Sequence, residues 1–212
     1  MIEPVAIAVA ILALVVSATT AWLTLFRRGT VKMTQPTVVF FGPDTPRLPE
    51  DKAFPKIFLR ALLFATARRG RVIESMYVSL SRNETMQNFN VWVYGNAKLV
   101  RGSGLFVGET GIAANHHFLA PVDAHSFQFT EGTYRLNVYA NLLGDRTRTL
   151  LFSHSFEISR DNAVLLAHAP QAGIYFDWGP DSSRYLSHVE TRPPSPRPDE
   201  LLELLGLRQT AN

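Results

Sequence analysis

The stretch Tyr134–Ile158, YRLNVYANLLGDRTRTLLFSHSFEI, decides the fold. Tyr134, Leu136, Val138, Ala140 and Leu142 alternate with Arg135, Asn137, Tyr139 and Asn141. Beyond Gly144-Asp145, Leu150, Phe152, His154, Phe156 and Ile158 alternate with Leu151, Ser153, Ser155 and Glu157. Successive side chains of a strand point to opposite faces, so each run offers one core face and one wetter face. Two such runs about a Gly-Asp turn predict an antiparallel hairpin.

The same period extends outward. Val72, Met76, Val78 and Leu80 keep step, with Glu74 as the exception, and Phe89, Val91 and Val93 stand opposite Asn88 and Asn90. Further strands are expected over 37–41, 56–64, 98–107 and 112–119. Gly42-Pro43-Asp44, Arg69-Gly70, Gly95-Asn96 and Gly102-Ser103-Gly104 separate them, glycine supplying positive φ and proline presetting a turn angle. Roughly seven or eight short strands, with no room for crossover helices, predict an all-β domain. The expected form is an antiparallel β-sandwich of immunoglobulin-like type, with a closed barrel as the competing architecture. One short helix is expected at Asp161–His168, capped by Asp161 or Ser159.

In front of this domain, Pro4–Phe26 reads PVAIAVAILALVVSATTAWLTLF and carries no charged side chain. At about 1.5 Å per residue such a run reaches roughly 34 Å, enough to cross a hydrocarbon core of roughly 30 Å. It predicts one N-terminal transmembrane α-helix, so the chain meets a membrane through residues 4–26. A cleaved signal peptide fits less well, because Met1-Ile2-Glu3 lacks a basic segment and the apolar run is long. Arg27, Arg28 and Lys32 follow the run and Glu3 precedes it, which places the N-terminus outside and the soluble domain in the cytoplasm. Ala13, Ser17 and Ala21 recur four apart, a spacing at which two helices pack closely, so a homodimer through the anchor is a candidate. Three segments result: the anchor with its basic flank (1–29), the sandwich (30–190), and a Pro-rich linker with a short amphipathic helical tail (191–212).

Composition excludes several chemistries. Among 212 residues there is no cysteine, which rules out disulfides, thiolate nucleophiles, iron–sulfur clusters and blue-copper sites. The formal charge is only +3, and the one basic cluster inside the domain is Arg68-Arg69-Gly70-Arg71. No nucleic-acid partner is therefore expected. Gly102-Ser103-Gly104 lacks the strand-to-helix setting of a nucleophile elbow. The acids are too widely spaced for a calcium loop.

Three groups of residues invite binding. In the tail, Leu201, Leu204 and Leu205 lie on a helix too short to hold itself in water, so it docks on its own domain or frays, or else folds into a partner's groove. In Gly173–Asp181, GIYFDWGPD, Tyr175, Asp177 and Trp178 read as an aromatic loop that grips a partner or stacks a sugar, or else as a final edge strand. His116 falls with Ile112, Ala114 and Phe118 on an inner face, and His154 falls on another. His116 or His117 with His154 is a weak candidate set for zinc or copper; the adjacent pair points to opposite faces, so both cannot ligate one metal without a bulge. No cofactor and no metal is the expectation. The function expected is a single-pass, membrane-anchored, non-enzymatic binding or scaffold module with a protein partner. The alternatives are an outward-facing domain for carbohydrate or envelope polymer and, last, a histidine-based metal-binding protein.

Overall fold

Alternation becomes two antiparallel sheets in the computed structural model, which describes residues 4–26, 28–44, 53–96, 98–121 and 127–191. The larger sheet holds β1 (Val31–Met33), β2 (Val38–Pro43), β3 (Pro55–Ala65), β6 (Val91–Gly95), β7 (Val100–Arg101), β9 (Ile112–Leu119), β12 (Ala172–Gly179) and β13 (Arg184–Thr191). Its order is β13-β12-β2-β3-β9-β6-β7, and β1 lies on the β2 side of β3. The smaller sheet holds β4 (Arg71–Arg82), β5 (Thr85–Phe89), β8 (Leu105–Val107), β10 (Gly132–Leu142) and β11 (Thr149–Ile158). There the order is β11-β10-β4-β5, with β8 also on β4. The arrangement is sandwich-like.

The inner faces follow the alternation. Val39, Phe41, Ile57, Leu59, Leu63, Phe118, Ile174 and Phe176 from one sheet meet Met76, Val78, Leu80, Leu136, Val138 and Phe156 from the other, all buried. Phe41 sits at the centre, with ring centroids 5.2 Å from Phe176, 5.4 Å from Phe129, 5.6 Å from Phe156 and 6.2 Å from Tyr134. Edge-to-face and offset contacts of this kind add to plain area burial. The buried Tyr134 hydroxyl donates to the Thr130 carbonyl and accepts from the Thr130 amide, both at 2.9 Å.

Four local features depart from the sequence expectation. The misfit at Glu74 is a bulge, since Ile73 opposes Leu142 while Ser75 opposes Asn141. The core face of β4 is therefore Ile73, Met76, Val78 and Leu80, with Val72 outside that set. In β11 the register breaks at Leu151, so that Phe152 opposes Val138 but Leu150 opposes Tyr139. Leu150 consequently lies exposed. The run Phe89–Val93 is two strands: Asn90 carries the chain from the smaller sheet to the larger, and Trp92 takes the inner position. Segment 98–107 is likewise split, by Gly102-Ser103-Gly104, into β7 and β8 of different sheets.

Two helices complete the fold. α1 (Pro4–Ala21) continues into one π-helical turn, Trp22–Phe26. Thr19, Thr20 and Thr24 donate to the carbonyls of Val15, Val16 and Thr20, four residues back, which satisfies these hydroxyls within the helix. None of its residues is buried against the sandwich, and the helix is long and apolar enough to cross a membrane or to serve as a signal sequence. α2 (Arg160–His168) links β11 to β12, and the Ser159 hydroxyl caps it by accepting from the Asn162 amide. The linker and leucine tail, with Leu201, Leu204 and Leu205, lie outside the described residues.

The long strands give the sandwich two ends. The near end carries residues 28–30 after α1, the β3–β4 turn, the β8–β9 turn and the β10–β11 turn. The far end carries α2 and the β4–β5 turn. On the outside of the larger sheet, Phe40 is 1% exposed because its ring lies flat over glycines. A Cβ at Gly173 would stand 2.1 Å from that ring, and one at Gly42 2.5 Å. Gly173→Ala is therefore expected to destabilise the protein by about 1–3 kcal/mol. Part of that loss should return in a Phe40→Leu background; urea unfolding of the single and double variants measures both.

Candidate functional site

Building from β12, neighbouring side chains must point to opposite faces, and that settles how the aromatic segment is used. Gly173–Gly179 is a strand rather than a loop, and it is not the final edge, because β13 covers its outer side. Ile174 and Phe176 enter the core. Trp178 shares their face and stands edge-on to Tyr185, ring centroids 5.1 Å apart. Tyr175 and Asp177 face the other way. The three residues expected to converge are thus divided between the two faces of one strand.

What joins Tyr175 and Asp177 comes from β13. Register places His188 opposite Tyr175, and the two rings stack at 5.4 Å with planes 13° apart. His188 Nδ1 lies 3.3 Å from Asp177 Oδ2, and Nε2 lies 3.2 Å from Glu190 Oε1. The side chains of Asp177, His188 and Glu190 remain about half exposed. Phe40 continues the row inward, its ring 4.7 Å from Tyr175. The result is a shelf: two stacked rings with a carboxylate on either side, on the solvent face of the sheet margin. Each carboxylate keeps an oxygen beyond the one turned to His188. Such a surface accepts hydrogen bonds and offers a π face, which suits a cationic or polyhydroxylated group.

The signal for β13 was present but weak. Arg184, Leu186, His188 and Glu190 alternate with Tyr185, Ser187 and Val189, so both faces read as mixed and neither as core. Only the hairpin with β12 brings His188 and Glu190 beside Tyr175 and Asp177.

The histidines of the metal reading do not meet. His116 is wholly buried beside Trp92, whose indole Nε1–H donates to His116 Nδ1 at 3.3 Å. That bond leaves the proton on Nε2, which has no hydrogen-bond partner. His117 faces outward and packs on Phe58 at 4.9 Å. His154 lies at the opposite margin, 5.0 Å from both Phe156 and Tyr185. Among the described residues no group of three histidine or acid side chains is placed to hold a metal ion. Burial lowers the pKa of His154 and pushes the Tyr185 phenol up, the Gln35 hydrogen bond opposing the latter. A groove of about 510 Å³ opens at the far end among Pro43, Pro55, Phe127, Phe129, Leu166 and Ala172. Its lining is mainly apolar.

No protein-family model matches this chain, and no curated protein matches it. Among solved structures, a family 123 glycoside hydrolase from Clostridium perfringens, described for glycolipid glycan hydrolysis, aligns at 11% identity with a TM-score of 0.30. The alignment covers 62% of this chain and 27% of that one, so the chain spans under a third of the enzyme's length. A likeness of that size carries no argument about fold or activity.

Burial, with a smaller push from His117, lowers the pKa of His116 to about 4 from an ordinary 6.5. The unfolded chain then binds a proton that the native state refuses between those values, so stability is fully present above pH 6.5 and declines towards pH 4. The difference corresponds to about 3 kcal/mol. His116→Phe should remove this part of the acid slope, read as urea midpoints of both proteins from pH 7.5 to 4; parallel slopes would assign the acid sensitivity elsewhere.

Proposed function

We propose that this protein is a membrane-tethered, non-enzymatic binding module that holds a protein partner against the margin formed by β12 and β13. The observation that carries this reading is the Tyr175–His188 stack flanked by Asp177 and Glu190. These side chains contribute nothing to the core between the sheets. Their arrangement fits an arginine or lysine of the partner laid over the ring, with the two acids closing on its charge. The apolar α1 serves as the tether, and the flanking Arg28 and Lys32 orient the domain to the cytoplasm. The immunoglobulin-like comparison belongs to the same reading as architecture alone, and supplies no activity. The leucines of the tail, Leu201, Leu204 and Leu205, form a second contact on the same partner. The outward, glycan-binding alternative keeps Tyr175 but loses Trp178 as a second platform.

The shelf is tested with the full chain in detergent against proteins of the native membrane. Asp177→Asn with Glu190→Gln should reduce retention of the partner about ten- to a hundred-fold, as expected for loss of charged hydrogen bonds. Thermal unfolding should stay unchanged. Equal retention would reject the shelf as the contact, and serine at 201, 204 and 205 tests the tail separately. Sidedness is read from reporters fused to the C-terminus. A reporter active only inside the cell should work, whereas activity of the outside reporter would favour the glycan alternative.

A further inference from the structure

The near end of the sandwich has a composition unlike the rest of the surface. Arg68 in the β3–β4 turn, Arg146 in the β10–β11 turn, Arg28 after α1 and Lys32 in β1 are all exposed there. Between them stand two bare apolar side chains, Phe106 at 62% and Leu143 at 57% exposure. The acids of this end are fewer: Glu109, Glu74 a little further along β4, Asp181 in the β12–β13 turn, and Asp145, which Arg71 neutralises at 2.8 Å. The far end leans the other way, with Glu84, Glu131, Glu157 and Asp161 exposed around its turns against an exposed Arg160 and a half-buried Arg82. A chain of net charge +3 therefore has a basic, partly apolar end and an acidic end.

The basic end is also the end from which α1 leaves, and the junction is fastened. Arg71 donates from Nη1 to the Gly29 carbonyl at 2.8 Å and from Nη2 to the Leu143 carbonyl at 3.2 Å. The Thr30 amide donates to the Thr66 hydroxyl, and the Thr66 amide to the Thr30 carbonyl, both at 2.9 Å. Gly29 is buried so closely against the β3–β4 turn that a Cβ would stand 2.5 Å from Ala67 Cβ. Phe106 is set over Gly70, which needs its positive φ of 65° and where a Cβ would meet the ring at 2.5 Å. Between Phe26 and Val31 the chain can span at most about 17 Å. Residues 29 and 30 of that span are pinned to the domain, so the arginine-bearing turns are held close to wherever α1 ends.

We infer that this end of the sandwich is a seat for an anionic lipid surface, with Phe106 and Leu143 entering the headgroup layer and Arg28, Lys32, Arg68 and Arg146 meeting lipid phosphates. The inference rests on the tethering role of α1 proposed above. Lipid is the occupant that fits, because exposed arginines interleaved with isolated apolar side chains match a charged layer over hydrocarbon. Screening shortens the reach of such charges to roughly 8 Å at physiological ionic strength, and the pinned junction keeps them within that order of distance. The seat would fix the sandwich upright and leave the β12–β13 margin facing sideways along the membrane.

The absence of cysteine makes the test direct. Single variants Val16→Cys, Leu143→Cys and Leu165→Cys of the full chain are labelled with a fluorophore and placed in lipid nanodiscs. The discs carry a headgroup nitroxide quencher and either neutral lipid alone or roughly 30% anionic phosphatidylglycerol. The label at 143 should be quenched several-fold more on anionic discs, and Arg68→Glu with Arg146→Glu should abolish that difference while circular dichroism stays unchanged. The label at 165, on α2, should stay unquenched on both. If the label at 16 lies in lipid but the label at 143 ignores lipid charge, or ignores the charge reversals, the seat is refuted and the tether stands. If the label at 16 remains in water, the tether fails and the seat with it.

Discussion

Phe41 lies between rings supplied by both sheets, and much of the structure depends on keeping it dry. Phe176 reaches it from the neighbouring strand, Tyr134 and Phe156 from the facing sheet, and Phe129 from the connection before β10. Truncating a buried phenylalanine of this kind costs about 3–5 kcal/mol, a large part of the stability of a single domain. The cluster also explains why the phenol of Tyr134 turns back on Thr130: a buried hydroxyl must find its partner locally. Once this centre is closed, β12 is fixed in the larger sheet. The outer faces of β12 and β13 are then free to carry residues chosen for something other than the core.

The departures from regular strand geometry serve that same closure. The bulge at Glu74 turns an acid outward and returns Met76 to the core. The irregularity at Leu151 leaves Leu150 outside but restores Phe156 and Ile158 to buried positions. On the opposite surface, Gly42 and Gly173 let Phe40 lie flat on the sheet, beside Tyr175 at the start of the shelf. Small residues and single extra residues therefore decide which way the chemistry-bearing side chains face.

Charge adds a second level of organisation. A small net charge conceals a separation of basic and acidic groups between the two ends of the sandwich. The basic end coincides with the exit of the apolar helix, at a junction held by Arg71 and by paired threonine contacts. On the proposed reading, lipid contact and partner-binding margin belong to the same sandwich, so the lipid contact would set the direction in which the shelf looks.

Much of the fold was legible in the sequence, because period-two alternation is a local property that burial enforces on each strand separately. Tyr134–Leu142, Ile57–Leu63, the inward position of His116 and the short helix capped by Ser159 all follow from residue order alone. So does the uniformly apolar helix at the N-terminus. Tertiary structure decided what depends on register between distant strands. It alone parted His116 from His154, split Phe89–Val93 between two sheets, and brought His188 and Glu190 to the shelf. The arginines of turns as far apart as Arg68 and Arg146 likewise came to one end of the sandwich only when the strands were paired. The physical reason is common to all of these: a side chain's face is set by its own strand, but its neighbours are set by strands that residue order does not place beside it.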